Sequence, residues 1–224
     1  YLVFNYDLGN GYDIRNAEQL ENIVSPGDRI LHLAAIARFA DADQNPLLAF
    51  ETNILGTENV AKVALERGAE KVVYSSTGSV YMPIDEEPPI TEDFKARGNS
   101  VYGTTKYMGE LMLKKHDVPH IVLRYAHLYG PGKAENGAIG GFIDRIERGL
   151  RPTLYGGKQS NDFTYIDDIV QANLLALNSE HVGEVFNIGS GEELTTEQVF
   201  EVMRDVFGYQ GEFEKLPKRS VDSM

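Results

Sequence analysis

Cysteine is absent from the 224 residues, which excludes a disulfide framework and thiol chemistry. The five histidines are scattered without metal-ligand spacing, so no metal site is expected. Positive charge is scarce: 21 Lys and Arg stand against 34 Asp and Glu, a formal net charge of −13. So acidic a chain argues against a nucleic-acid or anionic-membrane partner, and any anionic ligand would depend on local arginines. No apolar run approaches the roughly eighteen residues that a membrane span needs, and the first residues do not read as a signal peptide. A cytoplasmic setting fits these absences. Neither a methionine nor a glycine-rich turn precedes the strand-like run Tyr1-Leu2-Val3-Phe4-Asn5-Tyr6-Asp7, and Ser220 to Met224 stop without a terminating signal. The chain is therefore expected to be a segment of a longer one.

What is present is an alternation of short apolar runs with amphipathic stretches, the pattern of an α/β fold with a doubly wound, Rossmann-like parallel sheet. Strands are expected at 1–6, 29–35, 71–76 and 120–125, with helices over 16–24, 46–67 and 101–116, the second ending at Gly68. The run Ile30-Leu31-His32-Leu33-Ala34-Ala35 reads as apolar on both faces, which makes His32 a satisfied core residue rather than a ligand. After residue 126 the elements shorten and glycine increases: helices near 141–149, 167–178 and 195–207, strands near 153–155 and 184–188. Two domains are expected, 1–126 and a smaller lobe over 127–224, with 161–180 packing back on the sheet. The acidic, proline-containing stretch 82–98 reads as a loop whose carboxylates, Asp85, Glu86, Glu87, Glu92 and Asp93, are solvated.

Within this frame, Tyr102-Gly-Thr-Thr-Lys106 points to redox chemistry. A tyrosine becomes a general acid/base near neutral pH only if its reference pKa of about 10 is lowered, and a lysine one helical turn away on the same face supplies the positive charge. Thr77, at the end of Val72-Val73-Tyr74-Ser75-Ser76-Thr77, would add a hydroxyl donor and complete a three-residue proton-handling site. The spacing alone is weak: Tyr129 and Lys133 match it too, but Gly130-Pro131-Gly132 between them is turn chemistry. Context favours the first match, because Asn99 or Ser100 can cap its helix and Tyr107, Leu111 and Met112 form an apolar stripe. The bland alternative is a surface Tyr and Lys on an ordinary helix.

Nine segments in order carry a resemblance: Y-D-I-R (12–15), L-H-L-A-A (31–35), N-I-L-G-T-E-N (53–59), V-V-Y-S-S-T-G-S-V-Y (72–81), Y-G-T-T-K (102–106), L-R-Y-A-H-L-Y-G-P-G (123–132), D-F-T-Y-I-D-D (162–168), F-N-I-G-S-G (186–191) and P-K-R-S-V-D (217–222). Together they resemble the extended short-chain dehydrogenases/reductases, in particular the NAD-dependent nucleotide-sugar epimerase/dehydratase group, over about Asp13 to Asp222. The resemblance implies that Tyr102 is the acid/base, that Lys106 holds the nicotinamide ribose and lowers the Tyr102 pKa, and that Thr77 bonds the reacting oxygen. It implies further that Asp13 and Ile14 lie against the adenine of NAD, that Leu33, Ala34 and Ala35 pass its pyrophosphate by backbone, and that Asn53, Ser75 and Tyr125 flank the nicotinamide half. Small residues at a strand end agree with that reading. For Asn53 the alternative is a buried polar residue bonded to a neighbouring strand. Asp7 could take an adenosine ribose hydroxyl or be an ordinary turn aspartate.

Substrate contacts implied in the same way are Thr77, His127, Asn161, Arg219 and Asp222. Here the chain departs from the pattern: Asn161 stands where the family often has an arginine, His127 where it often has an asparagine, and the family's G-x-x-G-x-x-G turn is not found in these residues. Arg219 is then the expected diphosphate clamp, unless Pro217-Lys218-Arg219 is a solvated basic tail. Dehydratases and decarboxylases of the family resemble patterns with carboxylates after the strand, whereas this chain has Gly78 and Ser79, which cannot perform that proton transfer. An epimerase of a nucleotide sugar fits best, ahead of an NAD(P)H-dependent sugar reductase or dehydrogenase and of a non-catalytic NAD-binding scaffold. The resemblance also implies a homodimer through helices 46–67 and 101–116.

Overall fold

The computed structural model describes residues 2–82, 89–131 and 137–217. In chain order the first half holds α1 (Ala17–Glu21), β1 (Arg29–His32), α2 (Phe39–Gln44), α3 (Pro46–Phe50), α4 (Thr57–Arg67), β2 (Lys71–Thr77), α5 (Val101–Lys115) and β3 (His120–Tyr125). The second half holds β4 (His127–Tyr129), α6 (Gly137–Glu147), β5 (Thr153–Tyr155), β6 (Ser160–Tyr165), α7 (Ile166–Asn178), β7 (Glu184–Ile188), β8 (Glu193–Thr195), α8 (Thr196–Phe207) and β9 (Glu214–Leu216). The chain divides into two compact units, residues 1–124 with 173–187, and residues 125–172 with 188–224. The stretch that groups with the sheet unit is thus 173–187, where 161–180 was the expectation.

In the first unit the sheet order is β1-β2-β3-β7, the order of a doubly wound Rossmann-like sheet segment, with β1 and β2 parallel and Ile30 opposite Val72. Apolar runs bury β2 and β3 along nearly their whole length, as a sheet covered on both faces requires. Between them and α4 lies a core of Val60, Val63, Val72, Tyr74, Leu113 and Val122, joined by Ile14 and Leu20. The helix expected over 46–67 begins at Pro46, where the Asn45 side chain accepts the Leu48 N–H at 3.2 Å, and closes at Gly68 in the left-handed conformation (φ 70°). Its middle, Glu51–Gly56, is a π-helical stretch that no periodicity announces. Two strand expectations are corrected. β1 stops at His32, so Leu33, Ala34 and Ala35 leave the sheet. Residues 2–6 form no strand: Leu2 and Val3 are exposed without a neighbouring ladder, and the rings of Phe4, Tyr6 and Tyr12 cluster instead. Asp7 therefore ends no strand; its carboxylate accepts the Gly9 N–H at 2.8 Å and caps a 3-10 turn.

The second unit has a three-stranded sheet of order β4-β6-β8 and a β5-β9 pair around Phe142, Leu154, Phe163, Val199, Phe200 and Met203. Thr195 and Gln198 close a capping box at the start of α8. Asp162 organises the Gly189–Gly191 turn: its carboxylate accepts the Ser190 N–H and hydroxyl and the Gly191 N–H, each at 2.8 Å, and the Thr164 hydroxyl at 3.0 Å. A Cβ on Gly189 would stand 2.5 Å from that carboxylate, so the turn needs glycine there. Burial works to raise the Asp162 pKa, but the bonds to Ser190, Gly191 and Thr164 outweigh it and hold the carboxyl below its usual range. Its stabilisation is complete above the ordinary aspartate value of about 3.9 and is lost as pH falls through the lowered one. Asp162→Asn should cost about 1–2 kcal/mol near neutrality, tempered by partial exposure, with the difference from wild type shrinking in acid; urea unfolding at several pH values checks this.

Candidate active site

Thr77 is the last residue of β2, at the carboxyl end of the parallel β1-β2 pair. Its hydroxyl accepts the Ser79 N–H at 3.2 Å and so caps the 3-10 turn Gly78–Tyr81. On the facing element Ser100, rather than Asn99, caps α5 by accepting the Gly103 N–H at 3.0 Å. Gly103 has no room for a side chain, because a Cβ would stand 2.8 Å from the Ser79 carbonyl. The turn after β2 therefore rides on the first turn of α5. That approach brings Thr77 close enough to Tyr102 for its hydroxyl to influence the phenol, while the same hydroxyl donates to Ser79 Oγ at 3.2 Å. Burial pushes the Tyr102 phenol above its ordinary pKa, and the Thr77 hydroxyl works against that rise. The Tyr102 ring also packs edge-on against Phe39 of α2 at 5.1 Å.

One turn on, Lys106 is only 2% exposed, and its ammonium lies 4.2 Å from the Tyr74 ring centroid. Burial lowers its pKa to about 7, against which Glu110 pulls upward. Burial is the largest influence on Tyr102, and the Lys106 ammonium lies over the Tyr74 ring. A Cβ on Gly109 would collide with the Tyr74 hydroxyl, which donates to the Lys106 carbonyl at 3.3 Å. His32 is the satisfied core residue expected. Burial first, then the Lys106 charge, push it down to about 3, and the neutral ring pairs with the Thr57 hydroxyl at 2.9 Å. Since that hydroxyl donates to the Asn53 carbonyl at 2.8 Å, the ring nitrogen Nε2 is the donor.

Asn53 lies in the π-helical stretch and is 1% exposed. Its Oδ1 accepts the Ile36 N–H at 2.8 Å, while Nδ2 donates to the Ile36 carbonyl at 3.1 Å and to Thr105 Oγ1 at 2.9 Å. Asn53 is buried and polar, but its partners lie on no strand: it fastens the segment after β1 to the helix that carries Tyr102. A second buried network escaped the sequence. Arg124 of β3 donates from Nε and Nη2 to Glu110 of α5 at 3.0 and 2.6 Å, and from Nη1 to Tyr81 at 2.7 Å. Ser76 donates to the same carboxylate at 2.5 Å, and the Tyr81 hydroxyl donates to Asn187 Oδ1 at 2.7 Å. The available signal was Arg124 inside the apolar run Ile121-Val122-Leu123, since a charge on a doubly covered strand needs a partner.

The remaining candidates are placed as follows. The Asp13 carboxylate is forked with Arg15 at 2.6 Å, which holds it below its usual range, while the Ile14 side chain is buried against Gly56. Leu33, Ala34 and Ala35 follow β1 in irregular, partly exposed backbone, and Ser75 is half-buried on β2. Tyr125 is buried at the end of β3. In the second unit His127 is exposed on β4 with its ring 5.1 Å from Phe163, and Asn161 is exposed on β6 opposite Leu194. The competing Tyr129 lies on strand β4 rather than a helix, and Lys133 falls outside the described residues. Asp85, Glu86, Glu87, Arg219 and Asp222 also lie outside them. Glu92 accepts the Asn187 N–H at 2.7 Å from an exposed position.

Residues 8–189 match the model of the NAD dependent epimerase/dehydratase family. A candidate UDP-glucose 4-epimerase of Methanocaldococcus jannaschii is 32% identical over 215 residues, 89% of this chain and 68% of that protein. A UDP-N-acetyl-alpha-D-glucosaminuronate decarboxylase of Bacillus cytotoxicus is 30% identical over 93% of this chain and 72% of its own length. Among solved structures, the UDP-glucose 4-epimerase of Thermotoga maritima with UDP-glucose superposes with a TM-score of 0.87 at 33% identity, covering 94% of this chain and 71% of that one.

Proposed function

This chain belongs to the NAD-dependent epimerase/dehydratase family, and on that premise we propose that it is an NAD-dependent epimerase of a nucleotide sugar. The observation that carries the reading is the placement of Thr77, at the carboxyl end of β2, where its hydroxyl pulls the Tyr102 phenol towards its charged form, with Lys106 on the next turn of the same helix. Ligands of open α/β sheets gather at such strand ends. The residues fit the cofactor: Ala34 and Ala35 offer methyl-sized side chains after β1, and Lys106 offers an ammonium for ribose hydroxyls. Asp13, the Ile14 backbone, Leu33, Ser75 and Tyr125 complete the proposed contacts, with Asn53 fastening the segment they border and Asp7 at the periphery.

Bound NAD supplies a hydride acceptor that is also the donor, so an epimerase ends with its cofactor unchanged. Tyr102 takes the proton of the sugar hydroxyl as it is oxidised and returns a proton when the keto intermediate is reduced. Thr77 orients the reacting oxygen, and its hydroxyl favours the Tyr102 phenolate against the effect of burial. Lys106, while charged, adds a positive field one turn away. Dehydration and decarboxylation are disfavoured because Gly78 and Ser79 follow Thr77, where those chemistries ask for carboxylates. Recognition of the nucleotide sugar is assigned to the second unit through His127, Asn161, Arg219 and Asp222.

We assign the chain to a cytoplasmic homodimer as well, supported by apolar surface on the helices concerned: Leu47, Phe50, Leu55 and Leu65 are exposed, and Tyr107, Met108, Leu111 and Met112 are half-exposed. The face of α5 turned inward is mostly small and polar, with Gly103, Thr105, Lys106, Gly109 and Glu110 buried beside the core residue Leu113. Among the described residues no helix is long and apolar enough to cross a membrane. Incubation with a panel of UDP-sugars and NAD, followed by chromatography and by the absorbance of reduced nicotinamide, tests the activity. An epimerised sugar with no net absorbance change supports the reading; stoichiometric reduced nicotinamide would move the assignment to a dehydrogenase, and no product of either kind to a scaffold.

A further inference from the structure

We propose that Glu110 is a positioning residue of this site, a fixed counter-charge that keeps the Lys106 side chain cationic above Tyr74. For its catalytic consequence the proposal rests on the functional reading above; its geometry stands without it.

Glu110 lies four residues after Lys106, on the same face of α5, and both are buried. Its carboxylate is not free to swing towards the ammonium. One oxygen accepts Ser76 and Arg124 Nε, the other Arg124 Nη2, and Arg124 is tethered in turn by Tyr81, which is bonded to Asn187. Asn187 itself donates to the Ile90 carbonyl at 3.0 Å. The influence of Glu110 on Lys106 is therefore a field from a stationary charge. Among the described residues, the other groups around the lysine offer no second anion: Tyr102 on its own helix is a phenol raised by burial, Tyr74 of β2 presents its ring face, and His32 of β1 is held neutral. Thr57 and Asn53 are uncharged. An aromatic face alone is weak compensation for removing an ammonium from water. With Glu110 in place Lys106 still titrates at about 7, which leaves its charge sensitive to any loss of support.

The test follows the Lys106 Cε resonance by NMR in the full chain with isotope-labelled lysine, without substrate or NAD, assigned by Lys106→Met. Glu110→Gln keeps an acceptor for Ser76 and Arg124 but removes the charge. It should lower the Lys106 midpoint by about one pH unit or more, and the alkaline limb of kcat/KM should move down with it. Should that variant fail to fold, the double variant E110Q/R124M is compared with R124M alone, from which it differs only in the Glu110 charge, and should show the lower midpoint. An unmoved midpoint in a folded variant overturns the proposal even if the enzyme is active. A lowered midpoint in a chain inactive on nucleotide sugars supports it and contradicts only the functional reading.

Discussion

Tyr102→Phe should reduce turnover about a hundred- to ten-thousandfold, the usual worth of a positioned acid/base, while the fold and NAD affinity stay close to wild type. The phenyl ring keeps its packing against Phe39 of α2 and its burial, so only the phenol hydroxyl and its polar contacts disappear. One lost neutral hydrogen bond costs about 1 kcal/mol, too little to unfold the unit. Initial rates with a saturating nucleotide sugar, alongside circular dichroism, check both parts. A variant retaining more than about a tenth of the wild-type rate would remove Tyr102 from its role, since general acid/base catalysis is worth at least tenfold more than that. Tyr129→Phe is the internal control. That residue sits on strand β4 with its ring 5.4 Å from Tyr165 and has no lysine one helical turn away, so its loss should change the rate only slightly.

Arg124→Met should destabilise the first unit by about 3–5 kcal/mol, the range for breaking a buried ion pair by removing one partner. Both side chains of the pair are 6% exposed, and the guanidinium supplies two of the three hydrogen bonds to the Glu110 carboxylate while also holding Tyr81. Methionine leaves that carboxylate with Ser76 alone in a dry site. Acid neutralises a lone buried carboxylate, so the deficit should shrink as pH falls. The double variant E110Q/R124M should recover much of the loss, because replacing both charges is often neutral. Urea unfolding of the three proteins at two pH values measures the cycle. Equal destabilisation in the single and double variants would show that the cost is packing rather than an unpaired charge.

Local chemistry in the sequence announced the parts of the site that rest on local chemistry. Ser100 as a cap, Tyr102 and Lys106 one turn apart, Thr77 at a strand end and Gly68 as a helix stop each depend on neighbours within a few residues. What tertiary packing decides stayed hidden. Glu110 and Arg124 lie on a helix and a strand whose pairing no short window contains. The apolar stripe of Tyr107, Leu111 and Met112 marked a helix but not its inward face: α5 buries Gly103, Thr105, Lys106, Gly109, Glu110 and Leu113, because Gly103 and Gly109 admit Ser79 and Tyr74 at close range. The run Leu2 to Tyr6 has strand-like composition, but a strand exists only beside a partner, and its aromatic side chains found Tyr12 instead. β4, β8 and β9 are three residues each, too short to carry an alternation.

The central claim is that the Thr77, Tyr102 and Lys106 cluster serves a hydride that leaves the sugar and returns to it. Turnover of an accepted UDP-sugar in deuterium oxide, with mass spectrometry of the product, tests this most directly. Hydride return predicts an epimerised product with no deuterium on carbon, since only the proton handled by Tyr102 exchanges with solvent. Deuterium at the inverted carbon would contradict the account and point to direct proton abstraction.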